Sequence, residues 1–213
     1  MTAKEYLAFI VEQIHSTVVA TIDNDGLPVT CVIDMMYADE DGLYFLTAKG
    51  KGFYKRLKAN GYIALSGKKG NDTMSCTAVS VRGKVREIGD GLLPLLFEKN
   101  QYMHEIYPTE ESAKALTVFQ LYEGSGEWFD LSKKPIERSS FTFGGAENKS
   151  SEYYITDSCI VCGACQSVCP QSCIDLNDNK AVIKQVNCLH CGNCLEICPV
   201  GAAVKRPITV FED

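Results

Sequence analysis

The chain has 213 residues, a formal net charge of −6 and 46% hydrophobic residues. That length suits two domains, and acid spread along the chain excludes a nucleic-acid-binding role. No apolar run approaches the length of a bilayer-spanning helix, so no membrane partner is expected either.

In chain order, Tyr6, Leu7, Phe9, Ile10, Val11 and Ile14 form an apolar face that predicts a helix from Thr2 to His15. Glu5 and Glu12 interrupt its apolar stretch, which reads against a secretory leader. The period then changes to two. Residues 18–22 lead into the turn Asp23-Asn24-Asp25-Gly26, and residues 27–33 return as the second arm of a hairpin. Another hairpin turns at Asp39-Glu40-Asp41-Gly42 before a strand at 43–47. A short helix is predicted near 53–59, strands at 62–66, 76–86 and 117–122, and helical sequence at about 91–106 and 110–116. A last hairpin is predicted through Glu127-Trp128-Phe129. Antiparallel strands in meander order with few helices make this region mainly β, a closed or split barrel with flanking helices.

Residues 143–152 are small, polar and without periodicity, and so read as a linker. The expected organisation is a barrel over 1–145, a linker over 146–152 and a small α+β module over 153–213. A short tether keeps the second module near whatever the first one binds.

That module holds two copies of C-x2-C-x2-C-x3-C-P: Cys159, Cys162, Cys165 and Cys169-Pro170, then Cys188, Cys191, Cys194 and Cys198-Pro199. A zinc ribbon has no use for the third cysteine of each tight run, and a disulfide framework would need an oxidising compartment. The spacing, the Tyr153-to-Ser158 lead-in and the Cys-Pro-Val-Gly-Ala ending resemble the small bacterial ferredoxins with two [4Fe-4S] clusters. The resemblance implies two βαβ halves whose fourth cysteines are exchanged. Cluster one is then held by Cys159, Cys162, Cys165 and Cys198, and cluster two by Cys188, Cys191, Cys194 and Cys169. It also implies a reducing, cytoplasmic setting, and exposed clusters of this kind suit an anaerobe with low-potential donors.

The first domain carries a second resemblance. Val19-Ala20-Thr21-Ile22-Asp-x-Asp-Gly26-x-Pro28, Leu43-Tyr44-Phe45-Leu46-Thr47, Leu57-Lys58-Ala59-Asn60, Ile63-Ala64-Leu65-Ser66-Gly67 and Val81-Arg82-Gly83-Lys84-Val85 resemble the FMN-binding split barrel of the pyridoxamine 5′-phosphate oxidase-like family. This implies a homodimer with one FMN in each of two interfacial clefts. Lys49, Lys51, Lys55, Arg56 and Lys58 crowd the loop and helix after Thr47; such a run is commonly just a solvated basic face, but it also makes an anion site. With the resemblance, Thr47, Lys49 and Lys51 become phosphate or ribityl contacts, with Lys55 as a further candidate. The family often has a basic residue where Phe53 stands, which leaves the choice of lysine open. Backbone groups of Val32 and Ile33 would meet the ring edge. Trp128 either lies against the flavin or packs at a hairpin.

An arginine-rich C-terminal substrate segment of the oxidase proper is missing at 137–141, so the substrate does not follow from the fold. His15 and His104 read as capping or surface histidines, Cys31 and Cys76 as core residues, and Cys173 as a buried free thiol. His190 either tunes a cluster or occupies an exposed loop. The expected function is a flavin- and cluster-dependent oxidoreductase. It would exchange electrons with an external donor or acceptor protein and with a small organic acceptor. The alternatives are a non-enzymatic electron carrier whose barrel is a dimerising or docking module, and a barrel that binds haem, a deazaflavin or nothing.

Overall fold

The computed structural model describes residues 1–149 and 151–207. They form two compact units: Met1–Lys69, Ala78–Glu127 and Phe141–Glu147 in the first, and Gly70–Thr77, Trp128–Ser140 and the chain from Asn148 in the second. The second unit thus takes in 128–140, a segment that precedes the linker in sequence. Among the described residues, no helix is long and apolar enough to cross a membrane.

In the first unit, α1 (Ala3–Phe9) starts at a capping box in which Thr2 and Glu5 satisfy each other's backbone N–H groups. The predicted helix over 2–15 then changes type. Residues Ile10–Ile14 widen into a π turn, which ends at His15 with φ 62°.

The strands are β1 (Ser16–Ile22), β2 (Pro28–Asp34), β3 (Tyr37–Asp39), β4 (Gly42–Ala48), β5 (Tyr62–Lys69), β6 (Thr77–Gly89), β7 (Leu116–Asp130) and β8 (Glu137–Phe143), with α2 (Gly52–Asn60) after β4. Their order in the sheet is β2-β1-β5-β6-β7-β4-β3, and β8 pairs with β7. This is the mainly antiparallel, split-barrel architecture expected. Val19, Phe45, Leu65, Phe119 and Leu121 fill the core. Phe45 and Phe119 stand opposite each other on β4 and β7, with ring centroids 5.9 Å apart.

Two predicted boundaries are corrected. The last hairpin passes through 127–129 as the end of β7, which runs on well past the predicted 117–122, and the chain turns only after Asp130 before β8 returns. Gly124 and Gly126, which resemble turn residues, serve packing. A Cβ would lie 2.9 Å from the Phe143 ring at Gly124 and 2.3 Å from the Phe141 ring at Gly126. The helical stretch 91–106 is likewise divided into α3 (Leu93–Lys99) and α4 (Met103–Ile106). Between them, buried Asn100 donates from Nδ2 to the carbonyls of Leu96 (2.8 Å) and Met36 (3.1 Å), which ends α3. A further short helix, α5 (Glu110–Ala113), precedes β7.

The second unit holds two small antiparallel pairs. β9 (Ser151–Ile155) pairs with β12 (Ala203–Pro207), and β10 (Ile174–Leu176) with β11 (Ala181–Ile183). One turn of helix lies within each cysteine run and carries its third cysteine, α6 (Ala164–Ser167) with Cys165 and α7 (Asn193–Ile197) with Cys194. β9 begins inside the stretch read as linker, because Ser151 and Glu152 pair with Pro207 and Arg206.

Candidate functional site

The second unit contains two small cavities of similar size lined by cysteines. Cys159, Cys162, Cys165 and Cys198 line one of them. Cys169, Cys188, Cys191 and Cys194 line the other, together with Cys173, which lies outside the repeated pattern. Each cavity therefore receives three cysteines from one run and the fourth from the other. Among the described residues, no three His, Cys, Asp or Glu side chains gather as a single-ion site.

Backbone conformation explains the aim of these thiols. Val161 and His190 have φ of 55° and 56°, and Gly163 and Gly192, which cap the two helical turns, have 77° and 87°. Such left-handed residues turn each run back on itself, so its cysteines converge. The two displaced cysteines sit in backbone nests. Burial pushes the Cys198 thiol up, but N–H groups of Ala203, Val200, Ala202 and Gly201 outweigh it and hold the thiol below its ordinary range. Cys169 is lowered in the same way, against burial, by the backbone and thiol of Cys173 and the N–H groups of Gln171 and Ser172. Burial instead raises Cys165, Cys188 and Cys194. The thiolate is the ligating form, so the nests favour ligation at the two crossing positions. Cys173 is buried, as expected. Its Sγ lies 3.4 Å from Cys169 Sγ, and burial pushes it up to about 12.

In the first unit, the basic run resolves into committed and uncommitted cations. Lys58 pairs with Glu87 at 2.9 Å, and Arg56 Nε donates to Thr21 Oγ1 at 2.8 Å. Among the described residues, the side chains of Lys49, Lys51 and Lys55 make no hydrogen bond or ion pair. The start of α2 has no side-chain cap and no acid in its first turn. Arg56 bends back over it, since a Cβ at Gly52 would stand 3.2 Å from Arg56 Nη1. Lys51 and Arg56 also lie close enough to β2 to oppose the upward push of burial on Cys31. Thr47 is 2% exposed, and among the described residues its Oγ1 has no hydrogen-bond partner. A buried hydroxyl without a partner, three lysines, Arg56 and an uncapped helix start are the kinds of donor that a phosphate site uses. Spacing alone does not single out Arg56 within the basic run; the fold does.

Val32 and Ile33 lie on β2, at one end of the strand order, with Val32 exposed. Trp128 is buried in the second unit. A third group was not legible as a site. His15 Nε2 lies 3.3 Å from Tyr102 Oη and 3.5 Å from Asp34 Oδ2, while Tyr102 and Ser16 donate to Asp34 at 2.7 and 2.5 Å. Half-burial raises the Asp34 carboxyl, but the bonds from Ser16, Tyr102 and His15 more than reverse this. Burial and the Asp34 bond push the Tyr102 phenol well up. The residues come from three distant positions, so no spacing links them.

Residues 2–129 match the family model described as pyridoxamine 5′-phosphate oxidase. The chain belongs to that family. Residues 158–202 match a 4Fe-4S dicluster domain, so the chain joins a member of this family to a ferredoxin-like iron–sulfur domain. Solved structures agree on the barrel. A NimC/NimA family protein from Clostridium acetobutylicum is 16% identical, covering 66% of this chain and 92% of that one, with a TM-score of 0.55. A heme binding protein from Mycobacterium smegmatis is 12% identical over 69% of this chain and 62% of that one, at 0.53. PhzG from Burkholderia lata, solved in complex with tetrahydrophenazine-1-carboxylic acid, is 16% identical over 64% and 82%, at 0.50. At these identities the likeness is one of fold. No curated protein matches the chain.

Proposed function

We propose that this chain is an FMN-dependent iron–sulfur oxidoreductase. The observation behind the reading is the union, in one chain, of two cavities that each gather four cysteines of the repeated pattern and a pyridoxamine 5′-phosphate oxidase barrel bearing phosphate-type donors. The first cavity is assigned to Cys159, Cys162, Cys165 and Cys198, and the second to Cys188, Cys191, Cys194 and Cys169. Thr47, Lys49, Lys51 and Arg56 hold the FMN phosphate, with Lys55 at its edge, and the β2 backbone at Val32 and Ile33 faces the ring. When bound, the clusters supply one-electron transfer, and the flavin stores two electrons for a small organic acceptor.

The residues of the chain fix these groups and tune them through hydrogen bonds and charge. The barrel acts as a homodimer, and an external protein donor supplies the electrons. The test is anaerobic reduction of holo-protein by a low-potential donor while flavin and cluster absorbance are followed. Flavin bleaching after the clusters supports the reading; clusters that reduce beside an oxidised flavin overturn it. Turnover with quinones, nitroaromatics and enones separates the enzyme from a simple electron carrier.

A further inference from the structure

The two halves of the cysteine segment repeat at the 29-residue offset from Cys159 to Cys188, in backbone as well as in sequence. Val161 matches His190, Gly163 matches Gly192 and Ser172 matches Gly201, each pair sharing a positive φ. One element breaks this symmetry. Segment 128–140, which belongs to the same compact unit, makes three hydrogen bonds to residues flanking the second set of cysteines. The Ile136 N–H donates to Gln171 Oε1 at 2.8 Å. Asn187 Nδ2 donates to the Ile136 carbonyl at 3.1 Å. Arg138 Nη1 donates to His190 Nε2 at 3.1 Å, with its guanidinium 5.6 Å from the centre of the Phe129 ring.

The equivalent positions in the other half cannot make these bonds. Val161 and Val200 stand where the second set has His190 and Gln171, and Ser158, in the place of Asn187, is bonded to Thr156. The asymmetry is therefore written into the sequence on both sides of the contact. Tyr153 completes the arrangement: it lines the second cavity and packs edge-on to His190 at 5.3 Å.

We infer that segment 128–140 is a strap on the second cysteine loop, with Arg138 as a positioning residue acting through His190 to raise the reduction potential of the cluster held there. Reduction of such a cluster adds one electron and breaks no bond, so the site gains one negative charge. A guanidinium fixed nearby, and a loop locked around the thiolates, stabilise that added charge. In the cavity lined by Cys159, Cys162, Cys165 and Cys198, the apolar side chain of Val161 offers a guanidinium no such acceptor. The two clusters therefore differ in potential, which gives electrons a preferred resting place.

This inference rests on the dicluster domain and not on the flavin. The experiment is an EPR-monitored redox titration of anaerobic holo-protein with iron content measured on the same samples. Arg138→Met, which keeps the side-chain stem, is expected to move one of the two potentials downward and leave the other in place. Arg138→Lys restores part of the shift, and His190→Val, which installs the residue of the other half, reproduces it. Potentials that do not move, or that move together, overturn the strap. Wild-type protein without cluster iron overturns the cluster assignment itself, and protein with clusters but no flavin leaves the strap standing.

Discussion

Thr47→Val should stabilise the ligand-free protein and weaken FMN binding, two effects of opposite sign from one hydroxyl. Thr47 is 2% exposed, and among the described residues its Oγ1 has no hydrogen-bond partner. Leaving such a group buried costs about 1–3 kcal/mol, and valine replaces it with a methyl of the same shape on a strand that suits β-branched residues. A gain of about 1 kcal/mol raises Tm by roughly 2–4 °C in a chain of this size. The phosphate complex would lose a charge-assisted hydrogen bond worth about 1.5–3 kcal/mol, or roughly ten- to a hundredfold in Kd. Melting of deflavinated protein and FMN titration by fluorescence quenching read the two effects separately. A variant that melts lower without ligand, or binds FMN as tightly as the parent, refutes the placement of Thr47 in the phosphate site.

The exchange of fourth cysteines is tested by Cys159→Ser/Cys198→Ser, which alters one cavity from both runs. Crossed ligation leaves about four iron per chain, whereas uncrossed ligation loses both clusters. Gly83→Ala should destabilise the barrel by about 3 kcal/mol or more, since a Cβ would stand 2.2 Å from the Glu123 carbonyl oxygen on the neighbouring strand. Urea titration checks it, and a near-neutral result would contradict the close approach of β6 and β7. The folded Asp34 carboxyl lies below its ordinary 3.8, so its contribution is present above that pH and is lost as pH falls through the lower folded value. Asp34→Asn should therefore narrow the difference in Tm between pH 6 and pH 3, and an unchanged difference would contradict the network.

The cysteine segment was legible because cluster ligation fixes residue type and spacing locally. Two repeats with identical offsets leave little freedom, and the cavities follow them. The barrel was legible through alternation and turn residues, yet its details depend on distant partners. Gly124 and Gly126 look like a turn until Phe141 and Phe143 are seen to need the space. Asn100 looks like one more helical residue until it reaches the Met36 carbonyl. The candidate phosphate site was half legible. A basic run shows in sequence, but only folding commits Lys58 to Glu87 and bends Arg56 over the start of α2. His15, Asp34 and Tyr102 were not legible at all, because their meeting depends on a π turn and on the break at Asn100. The same holds for the strap, whose residues precede the loop residues they bond by 35 to 52 positions, as Ile136 precedes Gln171 and Arg138 precedes His190.

The most direct test of the whole account is quantitative flavin, iron and sulfide analysis of one anaerobically purified sample. The account predicts one FMN with about eight iron and eight sulfide per chain. Eight iron without flavin, from protein that also fails to take up added FMN, would contradict it and leave an iron–sulfur domain beside a barrel with some other purpose.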